Sequence, residues 1–148
     1  MMQVSVVSNR EPEPLSLEAF ERLALFVLQL EAVPEQSELS IALVSDEEMA
    51  HLNEQYRGIA GPTDVLSFPC DEPCAVAGDE PITLGDVIIA PEVATRQAAE
   101  LGHTVEHEFD VLLVHGILHL MGYDHESDED AAAMAAREVA LLDAYAAD

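Results

Sequence analysis

The sequence predicts an α+β fold, a sheet of four short strands with about five helices packed on it. Three observations predict this. Strand-like and helix-like runs follow the order strand, helix, strand, helix, strand, strand, helix, helix, helix, without the strict alternation of a doubly wound protein. The 148 residues match a single domain, 1–148, long enough to bury a sizeable core without staples. Hydrophobic residues make up 49% and charged residues 24%, which excludes a wholly disordered or collagen-like chain.

Residues 3–7 (QVSVV) alternate and are rich in β-branched types, a short strand. Ser16 offers an N-cap. Leu17, Phe20, Leu23, Val27, Leu28 and Leu30 then recur at helical spacing to about Glu31, and Pro34 closes the segment. Residues 39–44 (LSIALV) read as a second strand. Ser45 and Glu48 form a capping box that opens a helix through Met49, Leu52 and Tyr56, with Gly58 as its stop. Residues 64–69 (DVLSFP) read as a strand, 70–82 as an acidic loop with proline and glycine, and 84–90 (LGDVIIA) as a fourth strand.

Pro91 suits the first turn of a helix ending near Leu101, with Gly102 just beyond it. Thr104 caps the next helix. Its apolar run through Phe109, Leu112, Leu113, Ile117, Leu118 and Leu120 marks it as the buried central one, and Gly122 ends it. An alanine-rich helix from about Ser127 to Tyr145 reads as a packed cap with a solvated acidic face.

Charge sets a constraint on partners. Thirty acidic residues stand against five basic ones, a net −25, and all five are arginines: Arg10, Arg22, Arg57, Arg96 and Arg137. Such a surface repels nucleic acid and anionic membranes at long range. No apolar run approaches the ~18 residues of a membrane helix, and MMQVSVVSNR lacks the basic start and apolar stretch of a signal peptide. A cytoplasmic protein with no membrane partner is expected. Cys70 and Cys74 supply no disulfide framework, and no second cysteine pair completes a sulfur-based metal site.

The informative segment is His115-Gly-Ile-Leu-His119-Leu-Met-Gly-Tyr-Asp-His125. His115 and His119, four apart on a helix, share one face with a rise of about 6 Å between them. Two imidazoles so placed can converge on one Zn²⁺. Gly122 lets the chain leave the helix sharply, and His125 can fold back to give a third nitrogen. Three protein ligands with a fourth position open are the catalytic pattern, so one zinc ion per chain is expected, with another divalent metal as the alternative. In a His-Glu-x-x-His protease the Glu is the general base. Gly116 occupies that position here, which counts against a protease and predicts room beside the metal for a bulky substrate. Hydrolysis would rest on water activated by the metal.

At this point the sequence resembles the YbeY family of endoribonucleases, bacterial rRNA maturation factors. Residues 115–125 match its HGxLHLxGYDH block throughout. Leu52-Asn53-Glu54-Gln55-Tyr56-Arg57, Pro62-Thr63-Asp64-Val65-Leu66-Ser67-Phe68-Pro69 and Leu84-Gly85-Asp86-Val87-Ile88-Ile89 resemble its three other blocks, in the same order. The resemblance spans roughly residues 39–125. It implies a mixed four-stranded sheet with the zinc site at the end of a central helix. His115, His119 and His125 would be the zinc ligands and Arg57 the functional arginine. It also implies metal-dependent cleavage of single-stranded RNA, in maturation of the 3′ end of small-subunit (16S) rRNA and in ribosome quality control.

Read as chemistry, an arginine near the metal can fork onto a scissile phosphate and stabilise its developing charge. Thr63 or Ser67 can contact sugar or phosphate, or serve a turn or cap. Asp64, Asp86 and Asp124 are candidates to orient a ligand imidazole. His103 and His107, also four apart, sit in an acidic stretch and read as exposed, as does His51. With two or three arginines reaching phosphate, log K against log salt would slope only about −1.4 to −2.1 for a single strand. Delivery of rRNA by the small ribosomal subunit or protein partners is therefore expected, or a salt-rich medium that screens the repulsion, with no DNA partner. Two further readings stay open: a non-catalytic ribosome-assembly factor with a structural zinc, and another zinc hydrolase such as an amidase.

Overall fold

A computed structural model describes residues 2–8, 17–70, 81–124 and 126–147. Strands β1 (Gln3–Ser8), β2 (Ser37–Leu43), β3 (Val65–Pro69) and β4 (Ile82–Ile89) form one sheet in the order β1-β2-β4-β3. β1 with β2 and β2 with β4 run parallel, while β3 runs antiparallel to β4, so the sheet is mixed. Five helices accompany it among the described residues: α1 (Leu17–Leu30), α2 (Asp46–Arg57), α3 (Pro91–Leu101), α4 (Val105–Leu120) and α5 (Asp128–Ala147). The α+β class and the element order follow the sequence reading. Ser16, the proposed cap of α1, lies outside the described residues.

Ladder pairing extends two strands beyond their hydrophobic runs. β2 begins at Ser37 and β4 at Ile82, because these two residues pair with each other at the start of the parallel ladder. The helix starts follow their caps. The Ser45 hydroxyl accepts the Glu48 backbone N–H at 3.2 Å, and Thr104 accepts that of His107 at 3.1 Å. α2 stops immediately after Arg57, where Gly58 turns left-handed with φ 68° and its N–H reaches the Glu54 carbonyl.

The main core lies between one face of the sheet and α1, α4 and α5. α4 is its centre: Phe109, Leu113, Val114, Ile117 and Leu118 are all buried. A smaller cluster on the opposite face joins Met49 of α2 and Val93 of α3 to Leu66 of β3.

Gly116 corrects one expectation. It does not open space beside the histidines; it faces the sheet. A Cβ there would stand 2.6 Å from Val87 Cγ1 and 3.3 Å from Ser67 Oγ and Val65 Cγ2. The missing side chain lets α4 lie directly on β3 and β4. The Ser67 hydroxyl, donating to the Gly116 carbonyl at 2.9 Å, fixes that contact. Because position 116 points into the core, a glutamate there would meet Val87 rather than the solvent side of the helix.

Candidate active site

α4 carries two half-buried histidines at its C-terminal end, and their geometry exceeds what spacing alone gives. The His115 and His119 rings meet edge-on, with centroids 4.6 Å apart and an interplanar angle of 81°. Their Nε2 atoms are 3.1 Å apart. Two ligands of one tetrahedral zinc at ~2.0–2.1 Å each would sit about 3.3–3.4 Å from one another. The two imidazoles therefore fit a shared divalent ion with little adjustment. The last turn of a helix also carries partial negative charge, which favours a cation.

The turn after α4 is tight. The Gly122 N–H reaches the His119 carbonyl at 3.1 Å, and the Tyr123 N–H reaches Leu118 at 3.0 Å. The reversed chain brings Tyr123 and Asp124 to the same cleft. His125, the third expected ligand, lies outside the described residues. Among the described residues no group of three histidine, cysteine or acidic side chains is gathered for a metal.

The cleft has a volume of about 650 Å³ and is lined by Arg57, Thr63, Asp64, Ser67, His115 and His119, among others. The arginine singled out from the sequence is thus brought to the histidine pair from another helix. Local packing explains its position. The Tyr56 ring meets Phe68 of β3 edge-on at 5.1 Å, holding the last turn of α2 against the sheet. Buried Asn53 donates from Nδ2 to the Gly61 carbonyl at 2.8 Å, which pins the loop between Arg57 and Thr63. Both residues belong to the block that ends in Arg57.

The three aspartates proposed to orient an imidazole separate. The Asp64 carboxylate accepts the Val65 N–H at 2.8 Å and the Thr63 hydroxyl at 3.3 Å, so this pair shapes the entry to β3. Asp86 is exposed, and strand alternation puts it on the sheet face opposite Val87 and α4. Asp124 lines the cleft. Among the described residues, Glu138 of α5 brings a carboxylate to a histidine: its Oε1 lies 2.5 Å from His115 Nδ1. Sequence reasoning passed over it, although one signal was present: Glu138 falls at helical spacing between buried Met134 and Leu141, an acid in an apolar stripe.

The remaining candidates behave as ordinary surface groups. His103, His107 and His51 are exposed, as is Cys70; Cys74 lies outside the described residues. No helix among the described residues is long and apolar enough to cross a membrane.

Comparison with known proteins shows the family. The family model described as Endoribonuclease YbeY matches residues 6–146. The chain belongs to the endoribonuclease YbeY family. It is 49% identical over 127 residues to the Endoribonuclease YbeY of Thermobifida fusca, covering 83% of this chain and 82% of that one. It is 40% identical over 144 residues to that of Salinispora tropica, covering 92% of each. A protein of Thermotoga maritima solved in solution superposes with a TM-score of 0.66 at 28% identity, covering 94% of this chain and 86% of the other. The YbeY match takes in all four sequence blocks and extends past them to α5.

Proposed function

We propose that the protein is a zinc-dependent endoribonuclease that cleaves single-stranded RNA, acting in 3′-end maturation of 16S rRNA and in ribosome quality control. The observation that carries this reading is the meeting of Arg57 with the His115–His119 pair in one cleft. In the proposed site His115, His119 and His125 hold the ion. When bound, zinc supplies Lewis-acid activation of water and of the scissile phosphate.

Arg57 binds and orients the substrate. Its planar guanidinium presents a fork of donors to two phosphate oxygens, and it remains charged as negative charge builds on the phosphorus. The exposed end of α2 lets it reach a polymer that lies across the cleft. Position 116, buried against Val87, supports a site without the glutamate base of zinc proteases. With a net −25, the surface repels RNA at long range, which favours delivery by the small ribosomal subunit or its protein partners.

The test is cleavage of a single-stranded 16S 3′ fragment by highly purified protein, with zinc and with chelator. His115→Ala should abolish metal-dependent cleavage. Arg57→Ala should keep the zinc and slow cleavage by about 10²–10³-fold, the usual cost of one transition-state donor. Equal cleavage by both variants would identify a contaminating nuclease. Stoichiometric zinc without cleavage, on free RNA or on the subunit, would replace this reading with an assembly factor.

A further inference from the structure

We propose that Glu138 on the C-terminal helix is a positioning residue for the metal, acting through His115. The inference rests on the zinc reading above and adds to it a residue from outside the histidine segment. Glu138 lies twenty-three residues beyond His115, and its Oε1 takes the His115 Nδ1 at 2.5 Å. That contact has a defined chemical consequence. With Nδ1–H donating to a carboxylate, the neutral imidazole carries its lone pair on Nε2, the atom that faces His119 Nε2 at 3.1 Å. A carboxylate behind a ligand histidine fixes both tautomer and ring plane and makes the coordinating nitrogen more basic.

The placement of Glu138 is set by the fold. α5 turns Met134 and Leu141 into the core, and Glu138 sits on the same stripe with its side chain only 17% exposed. A carboxylate on a packed face costs free energy unless something there uses it. Most of the acids among the described residues are exposed; this one is directed at an imidazole. The neighbouring residue locks the register. Arg137 donates to the Glu31 carboxylate at 2.9 Å, just past the end of α1, and so fixes α5 against the helix that flanks α4.

The experiment uses the full chain stripped of metal. Zinc affinity is measured by competition with a chromophoric chelator, and the melting temperature of the metal-free protein is recorded alongside. Glu138→Ala is expected to bind zinc about 10–100-fold more weakly than wild type, the usual effect of losing such a partner. Glu138→Gln keeps an acceptor oxygen at nearly the same volume and should recover part of that loss. Arg137→Ala removes the clamp but leaves the carboxylate, so it should lower the melting temperature more than the zinc affinity. Wild-type affinity in Glu138→Ala would overturn the proposal. So would equal losses in Glu138→Ala and Arg137→Ala, which would mean that docking of α5 is all that matters. Wild-type protein that takes up no stoichiometric zinc would instead overturn the metal reading itself, and this role with it.

Discussion

Two histidine pairs with the same four-residue spacing lie at opposite ends of α4, and they differ in every respect but spacing. His103 and His107 flank the N-terminal cap. Their rings stack at 4.8 Å with an angle of 19°, and both are exposed. His115 and His119 sit at the C-terminal end, half-buried and edge-on at 81°, with Nε2 atoms converging at 3.1 Å. The first pair faces the positive end of the helix dipole and the second the negative end, so a cation is disfavoured at one and favoured at the other. Among the described residues, only the second pair has a carboxylate at hydrogen-bond distance behind a ring and an arginine across the same cleft. The i, i+4 spacing puts two imidazoles on a common face. Whether they make a site is decided by what the neighbouring helices bring to them.

The sharpest way to break this comparison is to remove one histidine from each pair. His119→Ala should lose stoichiometric zinc and all metal-dependent cleavage. His107→Ala should keep one zinc per chain and wild-type turnover. Metal content by elemental analysis of purified protein decides it. Loss of zinc in His107→Ala, or its retention in His119→Ala, would mean that the metal belongs to the other end of the helix.

Much of this was legible in the sequence, and the reasons are local. Periodicity and caps located the nine elements of the described residues, since Ser45, Thr104 and Gly58 act on backbone groups within a few residues. The histidine segment and Arg57 stood out because spacing on one helix, or the block in which a residue sits, carries the signal. What stayed hidden depends on long-range placement. Glu138 becomes the partner of His115 only once α5 has docked by way of Arg137 and Glu31. Asp64 and Asp86 looked as suitable, but one caps its own turn and the other faces away from α4. Gly116 misled for the same reason. A sequence shows that a side chain is absent, not which neighbour occupies the space.

That glycine gives the next prediction, which sharpens the distinction between the two faces of the C-terminal end of α4. Gly116→Ala gains about 1 kcal/mol of helix propensity. It also drives a methyl toward Val87, a stiff β-branched side chain that is fully buried, and overpacking of that kind costs about 1–3 kcal/mol. The overpacking cost is expected to win, lowering the melting temperature by a few degrees, about 2–4 °C per kcal/mol for a chain of this size. Zinc affinity should change little, because the atoms nearest the added methyl belong to Val87, Ser67 and Val65 of the sheet. A stabilised Gly116→Ala, seen by thermal melting, would mean that α4 does not press on β4 as described.

The smallest expected effect belongs to the first pair, which the comparison assigns to stability rather than to metal. Asp110 of α4 has its carboxyl pKa raised, chiefly by burial; His107 opposes the shift and Glu106 adds to it. An acid whose folded pKa lies above its unfolded value binds its proton more tightly when folded. Its stabilising contribution is therefore present at low pH and is lost as pH rises through the raised pKa, leaving a constant penalty once the group is ionised in both states. Asp110→Asn removes the penalty. It should melt slightly above wild type at neutral pH, and the gap should close on the acid side. His107→Ala works in the opposite direction, because it deletes the group that favours the ionised carboxylate. It should lower the melting temperature where the Asp110 carboxylate is ionised and have little effect in the Asp110→Asn background. A double-mutant cycle in melting temperature across that pH range measures the coupling. If the two substitutions prove additive throughout, the N-terminal pair has no electrostatic tie to Asp110, and the contrast between the two ends of α4 rests on the proposed metal site alone.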